Sequence, residues 1–399
     1  MTALNGRFRS NGNSHKPPFR AVDLFVGAGG LSEGFKQAGF QILAANDFDP
    51  DSEITFRLNN PTVPFLPDPI QDITAEQLMN VAQLEKGELS VLCGGPPCQA
   101  YSVYNHQRGM HDERSGLFRE YLRIVEGLMP QLVVMENVTG MTSIEKGRAV
   151  DEIHGELGRL GYHVEHRILK AEEYGVPQQR RRIFFIGSRI NSRIDWPEPT
   201  HGDANFPLLL DDLRPFVTVW DAIGDLPPLL PQEGSDESEY VVGPFSEYQR
   251  ESRSGSQYLY NHVAPNLQGI NRERMKHIPP GGSWRDLPEW LLPAGMKKAK
   301  RSDHTKRYGR LTTDGLSSTI LTKCDPHWGA YIHPTQERTL TVREAARLQS
   351  FPDRVRFMGP RGEQYRQVGN AVPPLLARAV ARSVSSMLGA SKALHAFTY

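Results

Sequence analysis

The chain has 399 residues, 38% hydrophobic and 23% charged, with 46 Lys and Arg balancing 46 Asp and Glu. That length allows two domains of ordinary size; no apolar run approaches the roughly 20 residues of a membrane span, and the polar opening MTALNGRFRSNGNSHKPPFR lacks a secretory core. Three cysteines (Cys93, Cys98 and Cys324) make neither a disulfide framework nor a four-ligand zinc site, so no metal is expected and the usage fits a reducing, cytoplasmic compartment.

Residues 1–20 read as a disordered lead-in. The segment FRAVDLFVGAGGLSEGF then passes from an apolar run through a glycine-rich turn, Gly27–Gly30, into helix-compatible spacing at Leu31 and Phe35. Further apolar runs follow at Phe40–Ala45, Leu89–Cys93, Gln131–Met135 and Arg182–Gly187, with helices expected between them at 114–128 and 148–160. Short apolar strands alternating with helices predict an α/β sheet. In such sheets the polar residues that follow each strand converge on one crevice.

Composition changes near residue 190, and from 195 to 335 the chain is rich in Pro, Gly and Trp with few long periodic segments. This predicts a smaller, irregular second domain. The pattern turns helical again at RTLTVREAARLQSF, and QVGNAVPPLLARAVARSVSSML reads as a turn into a helix whose apolar stripe returns to the first sheet. The expected divisions are 1–20 tail, 21–190 catalytic and cofactor-binding domain, 191–337 second domain and 338–399 returning segment.

Zero net charge hides a segregated pattern. Residues 272–310 hold eleven Lys or Arg against four acids, and 167–193 hold seven against two. In 201–240 the one Lys or Arg is Arg214. A nucleic-acid footprint is local, so these basic stretches are candidate contacts. Solvated surface faces remain the alternative.

Candidate chemistry sits at the strand ends. Gly27, Gly29 and Gly30 form G-x-G-G rather than the dinucleotide fingerprint, and allow close approach of a nucleoside-containing ligand. Asp47 and Asp49 are placed to accept from ribose hydroxyls, Phe48 to stack on adenine, and Asp72 to accept from an exocyclic amine. Each alone is more often a cap or turn residue. In G94-G-P-P-C-Q-A-Y-S102 two glycines and two prolines hold Cys98 on a stiff loop, as a nucleophile requires. Cys93, inside the apolar run, is the structural thiol, and 104–116 read as a loop able to close over substrate. Glu136 ends an apolar strand, where an acid is costly unless paired or used. In Gln178-Gln179-Arg180-Arg181-Arg182, alternation sends Arg180 and Arg182 to one face, suited to phosphate or carboxylate, with one of them a partner for Glu136.

With these blocks in hand, the chain resembles the DNA (cytosine-5) methyltransferase family of prokaryotic restriction–modification type, across roughly residues 21–389. DLFVGAGG, NDFD, DI, GGPPCQ, ENV, QQRRR, RTLTVREAARLQ and QVGNAVPP occur in the family's order. Two departures are visible: Asp47-Phe48 stand where Glu-Trp is common, and Ala100-Tyr101 follow Gln99 where Pro-Phe or Gly-Phe is usual.

The resemblance implies a Rossmann-like S-adenosylmethionine-dependent methyltransferase fold with a target-recognition domain. It implies methyl transfer from S-adenosylmethionine to cytosine carbon 5 in double-stranded DNA, after base flipping, by a cytoplasmic, nucleoid-associated enzyme. It places S-adenosylmethionine against Phe25, Gly27, Gly29, Gly30, Asp47, Phe48, Asp72 and Asn370. Cys98 becomes the nucleophile, Glu136 the contact to ring nitrogen 3 and Arg182 a contact to the cytosine carbonyl, while Arg180 sits by the catalytic loop and substrate backbone. Gln99, Ser102, Asn137, Ser317 and Thr319 are the implied substrate contacts. A monomer fits this compact form, with a separately encoded restriction endonuclease left open as companion. The nearest rival is an RNA cytosine methyltransferase on the same scaffold; the long, varied 190–335 region favours DNA.

Overall fold

The computed structural model describes residues 19–97, 116–143, 147–203, 213–267 and 269–396. Strands β1 (Arg20–Leu24), β2 (Gln41–Asn46), β3 (Phe65–Leu66), β4 (Val91–Gly94), β5 (Leu132–Val138), β6 (His163–Lys170) and β7 (Arg181–Ser188) form one sheet. Its order is β3-β2-β1-β4-β5-β7-β6. The first five strands pair in parallel, and β7 runs antiparallel to both its neighbours. Strand order reverses at β1 and β4, so their carboxyl ends open the crevice where α/β sheets bind ligands.

The central strands are buried on both faces and read as continuous apolar runs, which made them visible in the sequence. Strand β6 was not anticipated. It lies at the sheet edge, only Leu169 in it is buried, and HVEHRILK carries too little apolar signal.

Helices α1 (Gly30–Gln37), α2 (Pro50–Asn59), α3 (Ala75–Ala82), α4 (Leu117–Leu128) and α5 (Arg148–Arg159) cover the sheet. Helix α4 buries Leu117, Phe118, Tyr121, Leu122, Ile124, Val125 and Leu128, a stripe at helical spacing. Each such side chain contributes roughly 1.5–3 kcal/mol on full burial. Asp49 caps α2 by accepting from the Asp51 and Ser52 N–H groups, with Pro50 at the first helical position.

The second part is built of short pieces: β8 (His201–Gly202), β9 (Arg214–Pro215), α6 (Val219–Ile223), β10 (Gly234–Ser238), α7 (Glu247–Arg253), β11 (Leu259–Val263) and α8 (Gly269–Lys276). From 277 to 341 the regular elements are single 3-10 turns. The chain returns through α9 (Val342–Leu348), α10 (Arg361–Asn370) and α11 (Pro374–Ala396).

Helix α11 packs on α1, where a Cβ on Gly34 would stand 2.4 Å from the Ala377 Cβ. Leu376, Ala377, Val380 and Val384 share a core with Ala21, Leu31 and Phe35, so the carboxyl-terminal segment does return to the sheet. One expectation is corrected: QVGN is the last turn of α10, not a turn leading into α11. Gly369 is there for packing, since a Cβ would lie 2.2 Å from the Leu321 carbonyl oxygen.

Every residue of α9 is buried, charges included. Arg338 grips Glu344 through two bonds of 2.7 and 2.6 Å. Arg347 grips Asp353 at 2.6 Å twice and also reaches Asp225 at 3.0 Å. Arg253 meets the other side of Asp225 at 2.5 Å. This ionic hub ties the short elements of the second part to the returning segment. No helix among the described residues is long and apolar enough to cross a membrane.

Candidate active site

Three strand ends meet at the crevice. After β1, Phe25 adopts a left-handed backbone (φ 57°), followed by Gly27 and Gly29 with φ of 53° and 86°. The three glycines then part company. A Cβ on Gly27 would meet nothing within 4 Å, whereas one on Gly29 would touch the Phe56 ring at 3.1 Å. A Cβ on Gly30 would lie 2.3 Å from the Val372 carbonyl oxygen. Only Gly27 therefore turns its bare face to open space; Gly29 and Gly30 are small so that the loop can pack on α2 and on the segment before α11.

The Gly27 loop is braced from β2. The Gly27 N–H donates to Asp47 Oδ2 at 2.8 Å, and the Asp49 N–H to Asp47 Oδ1 at 3.0 Å. Burial raises the Asp47 carboxyl despite these donors. Burial also acts to raise Asp49, but the Ser52 N–H and Arg366 outweigh it and hold the group low. Phe48 between them is 62% exposed, its ring free to take a flat partner. Asp72, in a 3-10 turn, and Asn370, at the end of α10, are also exposed. An empty face at Gly27, a bare aromatic ring and exposed acceptors fit a nucleoside-bearing cofactor.

Glu136 lies at the far side. Its partner is Arg182, Nε to Oε1 at 2.8 Å, one of the two arginines that the alternation at 180–182 offered. The register explains the pairing: Val138 on β5 faces Arg182 on β7, leaving Glu136 diagonal to Arg182 on the same face. A Cβ on Gly95 would stand 3.1 Å from Glu136 Oε2, so the glycine lets the GGPP segment pass over the carboxyl. Burial raises the Glu136 pKa by more than Arg182 and Arg180 lower it, which favours the neutral acid.

Asn137 is buried and donates from Nδ2 to the Pro96 carbonyl at 3.0 Å, holding the main chain just ahead of Cys98. Cys98, Gln99 and Ser102 lie outside the described residues, as does the expected closing loop up to residue 115.

Arg180 departs from its expected place beside the substrate backbone. It is 1% exposed, and its guanidinium donates to the carbonyls of Ile320 (3.1 Å), Gly369 (2.8 Å) and Ala371 (3.1 Å). Burial among carbonyl dipoles makes it a brace between β7, the second part and the Asn370 turn, closed to phosphate. Gln178 makes a parallel link, donating to the Leu348 carbonyl at 3.1 Å and accepting from the Ile320 N–H at 3.0 Å. Thr319 Oγ1 donates to the Gln179 carbonyl at 2.7 Å. Ser317 is fully buried beside Pro177, and its hydroxyl has no partner among the described residues.

Asp23 escaped the sequence reading. It is buried beneath the glycine loop, accepts from Ser32 Oγ at 2.6 Å, and desolvation raises its pKa to about 7. The available signal was an acid inside the first apolar run.

The chain is similar along most of its length to known proteins. The model of the C-5 cytosine-specific DNA methylase family matches residues 19–386. Type II methyltransferase M.AgeI of Thalassovita gelatinovora is 34% identical over 424 aligned positions, covering 92% of this chain and 99% of its own length. Type II methyltransferase M1.HphI of Haemophilus parahaemolyticus is 35% identical over 368, covering 92% and 86%. Among solved structures, an E. coli prophage-encoded protein described as a DNA modification methyltransferase aligns with a TM-score of 0.70 at 25% identity, over 93% of this chain and 99% of that one.

Proposed function

This chain belongs to the C-5 cytosine-specific DNA methylase family, and from that premise we propose that it methylates cytosine carbon 5 within one short sequence of double-stranded DNA, through a covalent Cys98 adduct. The observation that carries the reading is the Glu136–Arg182 pair under Gly95, with burial raising the carboxyl above its ordinary range.

S-adenosylmethionine, when bound, supplies the methyl group as an electrophilic sulfonium. Phe48 would hold its adenine, Asp47 and Asp72 would accept from its ribose and exocyclic amine, and Gly27 and Asn370 would line the remaining space. Cytosine carbon 5 is by itself too poor a nucleophile. Addition of the Cys98 thiolate to carbon 6 moves the ring's double-bond electrons onto carbon 5. Glu136 donates at ring nitrogen 3 and offsets the developing negative charge, while Arg182 orients Glu136 and meets the ring carbonyl. After carbon 5 takes the methyl group it loses its proton, and elimination of Cys98 restores the ring. Asn137 serves this step by fixing Pro96, two residues before the nucleophile. Because the reacting face is inaccessible in a stacked duplex, the cytosine is flipped out.

The test is base-resolution 5-methylcytosine mapping of plasmid from a methylation-free host expressing the chain. Modification at one recurring short sequence is expected. Unmodified plasmid from cells holding soluble, folded protein would overturn the DNA reading. The Cys98→Ser variant should give unmodified plasmid; wild-type levels of methylation would exclude the adduct.

A further inference from the structure

The second part exposes one aromatic side chain in an unusual setting. Trp328 is 47% exposed, yet its ring is held on two sides. The Arg307 guanidinium lies over it at 5.5 Å from the ring centroid, and His327 meets it edge-on at 5.4 Å. Behind His327 stands buried Tyr308, also edge-on at 6.0 Å, with Arg274 over its ring at 5.6 Å. Indole, imidazole and phenol thus form a short aromatic ladder clasped by two guanidinium groups. Among the described residues no carboxylate lies within ion-pair distance of Arg307.

The loop is stiff. Asp325 accepts from the His327 N–H at 2.8 Å and, through its carbonyl, from the Trp328 N–H at 3.0 Å. It is also tied to the crevice. A Cβ on Gly329 would press on the Tyr331 ring at 2.7 Å, and the Tyr331 hydroxyl bonds the Thr319 carbonyl and the Leu321 N–H, each at 3.1 Å. Thr319 in turn holds Gln179, next to Arg180. One short chain of contacts therefore joins Trp328 to the wall of the site. Lys306 and Lys323 on the flanking segments are exposed, so the surroundings favour a polyanion.

A half-exposed indole normally sheds apolar surface by packing. Here the fold leaves the indole 47% exposed, hydrogen-bonds the turn beneath it, and sets Arg307, Lys306 and Lys323 around it against one exposed acid, Asp325. That combination suits a base: every base has a π-face, and stacking on an aromatic ring tolerates any sequence. We propose that Trp328 stacks on a base adjacent to the extruded cytosine, with Arg307 holding the neighbouring phosphate. This rests on the double-stranded DNA reading above.

The test uses the full chain and a duplex carrying the sequence found by mapping, with 2-aminopurine placed in turn on each side of the target cytosine. Wild-type protein should quench the probe at one of these positions. Trp328→Leu, which keeps an apolar but smaller side chain with no π-face, should lose that quenching and bind about ten-fold more weakly, the size of one lost base–aromatic stack. Its salt dependence should stay unchanged. Trp328→Phe should retain most of both signals. Arg307→Ala should flatten the dependence of log affinity on log salt by about one, the signature of one lost phosphate contact. Unchanged S-adenosylmethionine affinity in each variant reports an intact fold. If Trp328→Leu binds and quenches like wild type on a duplex the wild-type protein methylates, this contact is refuted while the activity stands. If the wild-type protein methylates no duplex, the DNA reading falls first.

Discussion

Replacing Asp23 by Asn should change how stability depends on pH, by an amount the structure sets. The folded pKa is about 7, against 3.8 for the free side chain, because desolvation outweighs the bond from Ser32. A raised acid pKa means the folded state holds its proton after the unfolded chain has released it. Asp23 therefore costs no stability below about pH 4, and an increasing amount as pH rises towards and through 7. The full shift corresponds to about 4 kcal/mol at 1.36 kcal/mol per unit. Integrated from pH 5 to pH 8, where the fold is readily studied, the loss is about 2–3 kcal/mol. Asn carries no charge and keeps an oxygen for the Ser32 donors, so the variant lacks this slope. Urea denaturation of both proteins at pH 5, 6, 7 and 8 isolates it, since other titrating groups cancel in the difference. The variant should gain on wild type by about 2–3 kcal/mol across that range. Parallel stability–pH curves would show that Asp23 is not a desolvated acid, and the argument would fail.

Glu136→Gln should lower single-turnover methylation by about 10²–10⁴-fold, the usual worth of a positioned acid. Its S-adenosylmethionine affinity, measured by calorimetry, should be near wild type; equal loss of both would mean that the site had collapsed. Asp353→Asn leaves Arg347 with Asp225 alone among its carboxylate partners and should cost about 3–5 kcal/mol in urea, as does breaking a buried ion pair elsewhere. A change under about 1 kcal/mol would show the hub to be energetically idle. Gly30→Ala, which drives a methyl into the Val372 carbonyl, should cost about 1–3 kcal/mol of stability by overpacking. Gly27→Ala meets no protein atom, but at φ 53° it should still cost about 1–2 kcal/mol of backbone strain and, beyond that, weaken cofactor binding; unchanged cofactor affinity in the folded variant would contradict the assigned open face.

The sequence was most informative where function and burial impose sharp local patterns. Strands β1, β4, β5 and β7 announced themselves as apolar runs because both of their faces are covered. That Glu136 pairs with Arg180 or Arg182 followed from a two-residue alternation, which is local geometry, and the structure selects Arg182. The same logic failed for Arg180. Alternation gave its face correctly but could not reveal that Ile320, Gly369 and Ala371, 140 to 191 residues away, would close over it with their carbonyls. Edge strand β6 left almost no pattern because its solvent-facing side chains are free to be polar.

The sequence alone determined the α/β class, the returning carboxyl-terminal helix, and the family that the ordered blocks identify. Each is encoded in near neighbours: a strand's burial, a helix's stripe, a glycine beside a proline. Tertiary structure alone decided which chemically similar residues do different work. It turned Gly27 to open space while packing Gly29 and Gly30 against protein, and it buried Asp23 far enough to hold a proton near neutrality. It also sank the arginines of α9 into paired contacts with Asp225 and Asp353. Those outcomes depend on desolvation and on atoms brought together from distant parts of the chain, which no local pattern records.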